Sequence, residues 1–230
     1  DEKGLDFMNE IKKISQEKPW MKYFSEESRK AVPPKMKVYS YFKEVNKDRP
    51  NGVALYYYGR RYTVKKMIEK IDQCADALAA IGVKQGDTVS ILSASTPESI
   101  FLFYALNKIG ATMNAIDPRL DKKSVARMII GSGSKVLFVI DAAYQLFAAI
   151  RAEIKQEHII VQSASLSLPG FLKLAYKLAT HYSIAYGKEG IISWDTFIAG
   201  SKNAVSTEAE YVGDATVAIT YTGGTTVFPK

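Results

Sequence analysis

The spacing of apolar positions divides the chain into a short polar lead and a long series of alternating elements. Leu5, Met8, Ile11 and, less regularly, Ile14 predict a short amphipathic helix over residues 5–14. Residues 15–35 are polar and close on Pro33-Pro34, which ends any preceding helix. A second helix is predicted over 36–47, with Val38, Tyr41, Phe42 and Val45 on one face. Residues 53–58 read as a strand, Gly59-Arg60 as a tight turn, and 61–63 as a second short strand. Thr63 is placed to cap the clearest helix of the chain. There Met67, Ile68, Ile71, Ala75, Leu78 and Ile81 recur at three- and four-residue steps, and Gly82 follows as a left-handed end.

From there strands and helices alternate. Strands are predicted at 88–92, 112–116, 135–140 and 158–162; helices run from Pro97 to about Lys108, over 121–130 and over 142–153. Pro97 suits a first helical turn, and Glu98 suits the positive helix start. This rhythm predicts βαβ units: an α/β fold with a mostly parallel sheet flanked by helices. The run Val136-Leu137-Phe138-Val139-Ile140 suits a strand covered on both faces. Residues 163–210 are less regular, with a helix predicted over 172–179 and a segment at 191–198 carrying Trp194 and Phe197. A polar linker over 200–212 leads to a last strand at 215–221.

Composition narrows the function classes. The 230 residues are 47% hydrophobic and 24% charged, which excludes intrinsic disorder and suggests one or two domains. The single Cys74 excludes an internal disulfide framework and a cysteine-based zinc site, and it falls on an apolar helix face as a buried spectator. Two histidines, His158 and His181, leave no histidine cluster, and no metal site is assigned. The net charge of +7 resides in residues 1–70, which hold 17 Lys and Arg against 10 Asp and Glu; the remainder balances 14 against 14. No basic run reaches five residues, which argues against nucleic acid as a partner and for a solvated surface. A start at Asp1 rather than Met suggests trimming. With no signal segment and no apolar run long enough to span a bilayer, the expectation is a cytoplasmic protein.

Candidate chemistry lies in the last ten residues. A buried strand opens into Thr222-Gly223-Gly224-Thr225-Thr226 and closes with Pro229-Lys230. Adjacent glycines let successive backbone N–H groups approach a bulky anion, three threonines add hydroxyl donors, and Lys230 adds a positive charge. Together they form a candidate polyphosphate cradle, although the pattern differs from the P-loop consensus because Pro229, not Gly, precedes the lysine. The alternative from composition alone is an ordinary surface turn.

The run Tyr221-Thr222-Gly223-Gly224-Thr225-Thr226-Val227-Phe228-Pro229-Lys230 resembles the phosphate loop of AMP-forming adenylating enzymes: acyl-CoA synthetases, luciferases and peptide-synthetase adenylation domains. Gly82-Val83-Lys84-Gln85-Gly86-Asp87, the helix after Pro97-Glu98, Lys108-Ile109-Gly110-Ala111, Asp117-Pro118-Arg119-Leu120 and Ser132-Gly133-Ser134-Lys135-Val136 extend the resemblance, in order, over residues 36–230. It implies the N-terminal part of the acyl-CoA synthetase-like fold, divided into a lead at 1–35 and a partial AMP-binding domain at 36–230. It also implies ATP, Mg²⁺ and coenzyme A as reactants and a fatty or other medium-to-large carboxylic acid as substrate; no protein partner is inferred. By position, Thr222, Gly223, Gly224, Thr225, Thr226 and Lys230 would bind the phosphates.

Two features depart from the family. Val227 stands where Gly or Ser is usual, and a β-branched residue at positive φ would be strained by about 1–3 kcal/mol. The family's catalytic residues, acyl pocket and mobile C-terminal domain lie beyond Lys230, so no catalytic residue is assigned and residues 1–230 alone are expected to be inactive. An amino-acid or aryl-acid ligase, and a non-catalytic interaction module from a degenerate homologue, remain the alternatives. One further stripe, Lys173, Lys177 and His181 beside Phe171, Leu174 and Leu178, is expected to pack on its own domain, with weak membrane-surface contact as the alternative. His158 opens a strand and is expected to be structural, and Gly131-Ser132-Gly133-Ser134 reads as a helix end rather than a dinucleotide loop.

Overall fold

The computed structural model describes residues 16–221. Backbone packing separates the chain into two compact units, Asp1–Lys35 and Met36–Lys230. In the first, a single 3₁₀ turn, Pro19–Tyr23, precedes helix α1 (Glu26–Lys30), whose start is capped by Ser25 Oγ accepting from Ser28 N at 3.1 Å. Arg29 Nε donates to the Met21 carbonyl at 2.8 Å and ties the two together. The polar stretch thus carries helical turns, and they end before Pro33-Pro34, the predicted breaker. The helix expected over 5–14 and the loop at 222–230 lie outside the described residues.

The second unit opens with α2 (Val38–Asn46) and the hairpin β1 (Val53–Tyr57) and β2 (Arg60–Thr63). The inward face of α2 shares Phe42, which packs against the core, with the predicted one but is otherwise different. Tyr39 is buried, whereas Tyr41 and Val45 are exposed. The reason is polar: Tyr39 donates its hydroxyl to Asp72 at 2.7 Å and its backbone N–H to Asn107 Oδ1 at 2.9 Å. Lys108 completes the junction with an ion pair to Asp72 at 2.8 Å.

The hairpin turn is Tyr58-Gly59, one residue earlier than predicted, with φ of 46° and 86°. Two positive φ values match the right-handed twist of the strands, but Tyr58 carries a Cβ where Asn or Gly is favoured. Tyr58→Asn is expected to stabilise the protein by about 0.5–1 kcal/mol, read as a raised urea midpoint at unchanged slope.

Six strands form a parallel sheet in the order β7-β6-β5-β3-β4-β8. They are β3 (Thr88–Leu92), β4 (Thr112–Ile116), β5 (Val136–Ile140), β6 (His158–Gln162), β7 (Ile191–Ser193) and β8 (Ala218–Ile219). Helices α3 (Val64–Ala80), α4 (Pro97–Ile109) and α8 (Trp194–Ala199) contribute to the core on one face; α5 (Lys122–Gly131) and α6 (Tyr144–Ile150) contribute to that on the other. The α/β reading with helices on both faces of a parallel sheet thus describes the molecule.

All five residues of β5 are buried, and the first four alternate between the two cores, with Ile140 joining the α5/α6 side at the strand end. Val136 and Phe138 join the α3/α4 side, and Leu137 and Val139 the α5/α6 side. Helix ends follow the sequence signals. Thr63, Thr96, Asp121 and Ser193 each accept from a backbone N–H in the first turn, and Gly82 and Gly110 take φ of 85° and 77° at the ends of α3 and α4. Helix α7 (Gly170–Ala179) lies in the crossover from β6 to β7. The predicted last strand shrinks to the two residues of β8, because it is an edge strand that meets β4 only at Met113 and Asn114.

Candidate functional site at the carboxyl edge of the sheet

The chain leaves β3 to form β4 on one side, then returns to place β5 on the other. Such a reversal opens a crevice at the carboxyl ends of parallel strands, the usual position of ligand sites in open α/β sheets. A cleft of about 640 Å³ lies at these ends, within the range of small-molecule sites. Its walls are the β3–α4 connection (Ser93 to Ser95), the segment after β4 (Asp117 to Leu120), and Thr220 and Tyr221 after β8.

Each wall is held by identifiable bonds. In the β3–α4 connection, Thr96 Oγ1 accepts from Ser99 N at 3.3 Å, and Ser99 Oγ donates to the Ala94 carbonyl at 3.0 Å. Gln162, at the end of β6, donates Nε2 to Ser93 Oγ at 2.5 Å, while its buried Oε1 has no partner among the described residues. After β4, Asp117 takes two contacts from Arg119 Nε and one from Nη2 at 2.6 Å. This hydrogen bonding holds the Asp117 carboxyl below its usual range, and it fixes the guanidinium beside the cleft.

The third wall depends on a polar thread through the middle of the sheet. Ser90 and Asn114 are register partners on β3 and β4, fully buried on the α5 side. Asn114 Nδ2 donates to Ser90 Oγ at 2.9 Å and to the Met128 carbonyl at 3.3 Å, and its Oδ1 accepts from the Tyr221 hydroxyl at 2.7 Å. Ser90 Oγ in turn meets Ser134 Oγ at 2.6 Å. Burial pushes the Tyr221 hydroxyl above the ordinary tyrosine value, so it stays a donor at neutral pH. Thus the two-residue β8 is anchored by a side chain two residues past its end, immediately before Thr222 in sequence.

Of the sequence-predicted site residues, Thr222, Gly223, Gly224, Thr225, Thr226 and Lys230 lie outside the described residues. The structure places the position from which they depart at the rim of the cleft. Sequence reading missed the Ser90–Asn114–Tyr221 thread, although a polar residue at the third position of two apolar strands, TVSIL and TMNAI, was its signal. It also treated Gly131-Ser132-Gly133-Ser134 as a helix end only. The turn does end α5, with Gly133 at φ 64°, but Ser134 also enters the thread. A second buried chain links Tyr62, Ser167 and Glu98, with Ser167 Oγ donating to the carboxylate at 2.5 Å and meeting the Tyr62 hydroxyl at 2.6 Å. Glu98, read from sequence only as a favourable helix start, is thereby a buried tie between α4 and the β6–β7 crossover. Among the described residues no group of three or more His, Cys, Asp or Glu is arranged to hold a metal ion.

The comparisons with known proteins agree with this geometry. The long-chain-fatty-acid–CoA ligase FadD13 of Mycobacterium tuberculosis is 36% identical over 93 residues, covering 40% of this chain and 18% of that protein. The probable peroxisomal acyl-activating enzyme 12 of Arabidopsis thaliana is 26% identical over 130 residues, 56% of this chain and 22% of that one. The chain therefore spans about a fifth of the length of these two relatives. Among solved structures, the anthranilate CoA ligase AuaEII in complex with anthranoyl-AMP has a TM-score of 0.69 at 20% identity, over 86% of this chain and 34% of that one, a likeness of fold. The inhibitor-bound N-terminal domain of FACL13 from Mycobacterium tuberculosis has a TM-score of 0.59 at 26% identity, over 85% and 43%. With the profile described as AMP-binding enzyme matching residues 42–230, most of its length, the chain belongs to the AMP-binding enzyme family.

Proposed function

We propose that this chain is the nucleotide-gripping amino-terminal part of an AMP-forming ligase that activates a fatty acid with ATP and transfers it to coenzyme A. One observation carries the reading. The last strand ends at the carboxyl edge of a parallel sheet, against a cleft of about 640 Å³, and continues in sequence into Thr222-Gly223-Gly224-Thr225-Thr226 and on to Lys230. The cleft volume suits a small-molecule guest, and Arg119, held by Asp117, stands beside it. Thr222, Gly223, Gly224, Thr225, Thr226 and Lys230 hold the β- and γ-phosphates, with Mg²⁺ accompanying the nucleotide. An acid oxygen attacks the α-phosphorus and pyrophosphate leaves; the thiol then attacks the acyl carbon and AMP leaves. The contribution of this chain is positioning and charge neutralisation. Residues 1–230 alone are not expected to turn over, because they span only about a fifth of the length of the acyl-CoA ligase relatives.

The test is ATP–pyrophosphate exchange by protein extended beyond Lys230, with fatty, aryl and amino acids compared. Exchange should depend on a fatty acid, and Lys230→Ala should lower it about tenfold or more. Exchange driven only by aryl or amino acids would replace the substrate assignment. Val227 favours a second reading, a degenerate module that does not catalyse. Absence of exchange with every acid, unrelieved by Val227→Gly, would establish that reading instead.

A further inference from the structure

Helix α7 faces the wrong way for a helix packed on its own domain. Phe171, Leu174 and Leu178, with Ala175 between them, recur at the spacing of one helical face, and all are exposed. Phe171 is 74%, Leu174 60% and Leu178 70% accessible. The inward face is the polar one. Tyr176 donates its hydroxyl to the buried Asp141 at 2.8 Å, and Asp141 also accepts from Ala142 N at 2.8 Å and Ala164 N at 3.0 Å. Those bonds fix the roll of the helix, so the apolar stripe is held outward rather than exposed by a loose fit. The expectation that this helix packs its apolar side on its own domain is corrected by these contacts.

The charge around the stripe selects its partner. From His158 to Lys188 there is no Asp or Glu; Lys177 and Lys188 are exposed and His181 follows the helix, whereas Lys173 is half-buried on the inward side with Glu98 and Asp195. Lys177 is exposed and falls on the flank of the stripe, where its stem can lie along apolar surface while the ammonium stays in water. Tyr186, seven residues past the helix end, is 49% exposed, an amphipathic ring of the kind found at membrane interfaces. No helix among the described residues is long and apolar enough to cross a membrane, and α7 at ten residues is about 15 Å long. Such a helix lies in the plane of a bilayer surface. We propose that α7 docks the protein on an anionic lipid surface, with Phe171, Leu174 and Leu178 entering the headgroup boundary and Lys177 and Lys188 pairing with lipid phosphates.

Co-sedimentation with vesicles tests this without ATP or an acid, so its outcome is independent of the ligase reading. The protein should partition onto phosphatidylcholine vesicles that contain phosphatidylglycerol far more than onto phosphatidylcholine alone, and less as salt rises. The triple variant F171S/L174S/L178S changes only exposed side chains, and matching circular dichroism will show that it folds. It should lose about tenfold or more in partition. The pair Lys177→Gln and Lys188→Gln should lose roughly tenfold on anionic vesicles and little on neutral ones. Equal partition of parent and triple variant, or no partition of the parent onto anionic vesicles, overturns the proposal. So does a triple variant that shifts elution on gel filtration, because the stripe would then be covered by protein.

Discussion

Asn114→Leu should destabilise the protein by about 2–4 kcal/mol, although the side chains are similar in size. The substitution leaves the Tyr221 hydroxyl without its partner inside a sheet that has little water to offer it, and takes from the Met128 carbonyl the second of its two bonds, the first being to Ser132 N at 3.2 Å. It also removes one of the bonds that Ser90 makes. Tyr221→Phe should cost only about 1 kcal/mol, since Asn114 keeps both donor bonds and loses one acceptor contact. Because the two act on one bond, the double variant should fall short of the sum. Urea unfolding of the four proteins reads this directly; a cost below about 1 kcal/mol for Asn114→Leu would remove the thread from the account of how β8 is held. The effect should also reach the site, since the anchor stands one residue before Thr222.

Phe138→Ala should cost more, about 3–5 kcal/mol. The ring is fully buried at the centre of the sheet and stands edge-on to Phe197 at 5.1 Å and to Trp194 at 6.1 Å. Both partners belong to the short α8, so little can collapse into the space left behind. Phe138→Leu should cost about 1 kcal/mol, because most of the volume is kept. Thermal unfolding compared across the two variants separates a packing loss from a general sensitivity of β5; equal losses would contradict the packing explanation.

The parts of the fold that sequence reading reached are those decided by burial on a regular period. Residues 136–140 are apolar at every position because the strand is covered on both faces, and α3 shows its stripe because one side meets the sheet. The misreadings have local causes. Tyr39 was passed over because its burial rests on bonds to Asp72 and Asn107, distant in sequence. Residues 215–221 read as a full strand because apolar spacing does not show how far a neighbour runs alongside; β4 offers β8 only two register partners. The chemistry of residues 222–230 was legible in composition and in family likeness. The Ser90–Asn114–Tyr221 thread was not, since its ends are 131 residues apart and only tertiary pairing joins them. Helix α7 inverted the usual rule for a physical reason, a buried carboxylate that claims the polar face.

The crossover that carries α7 is also pinned at both ends. It leaves at Gln162, and it returns through Gly190, whose φ of 77° and close approach to the Glu157 carbonyl, 2.4 Å from where a Cβ would stand, admit no larger residue. Between these pins the path is fastened again, by Ser167 to Glu98 and Tyr62, by Ala164 N and Tyr176 to Asp141, and by Ala185 N to the Tyr144 hydroxyl. The excursion is therefore part of the scaffold rather than an ornament on it: exchanging it for another would leave the carboxylates of Glu98 and Asp141 buried without the hydroxyls that now meet them.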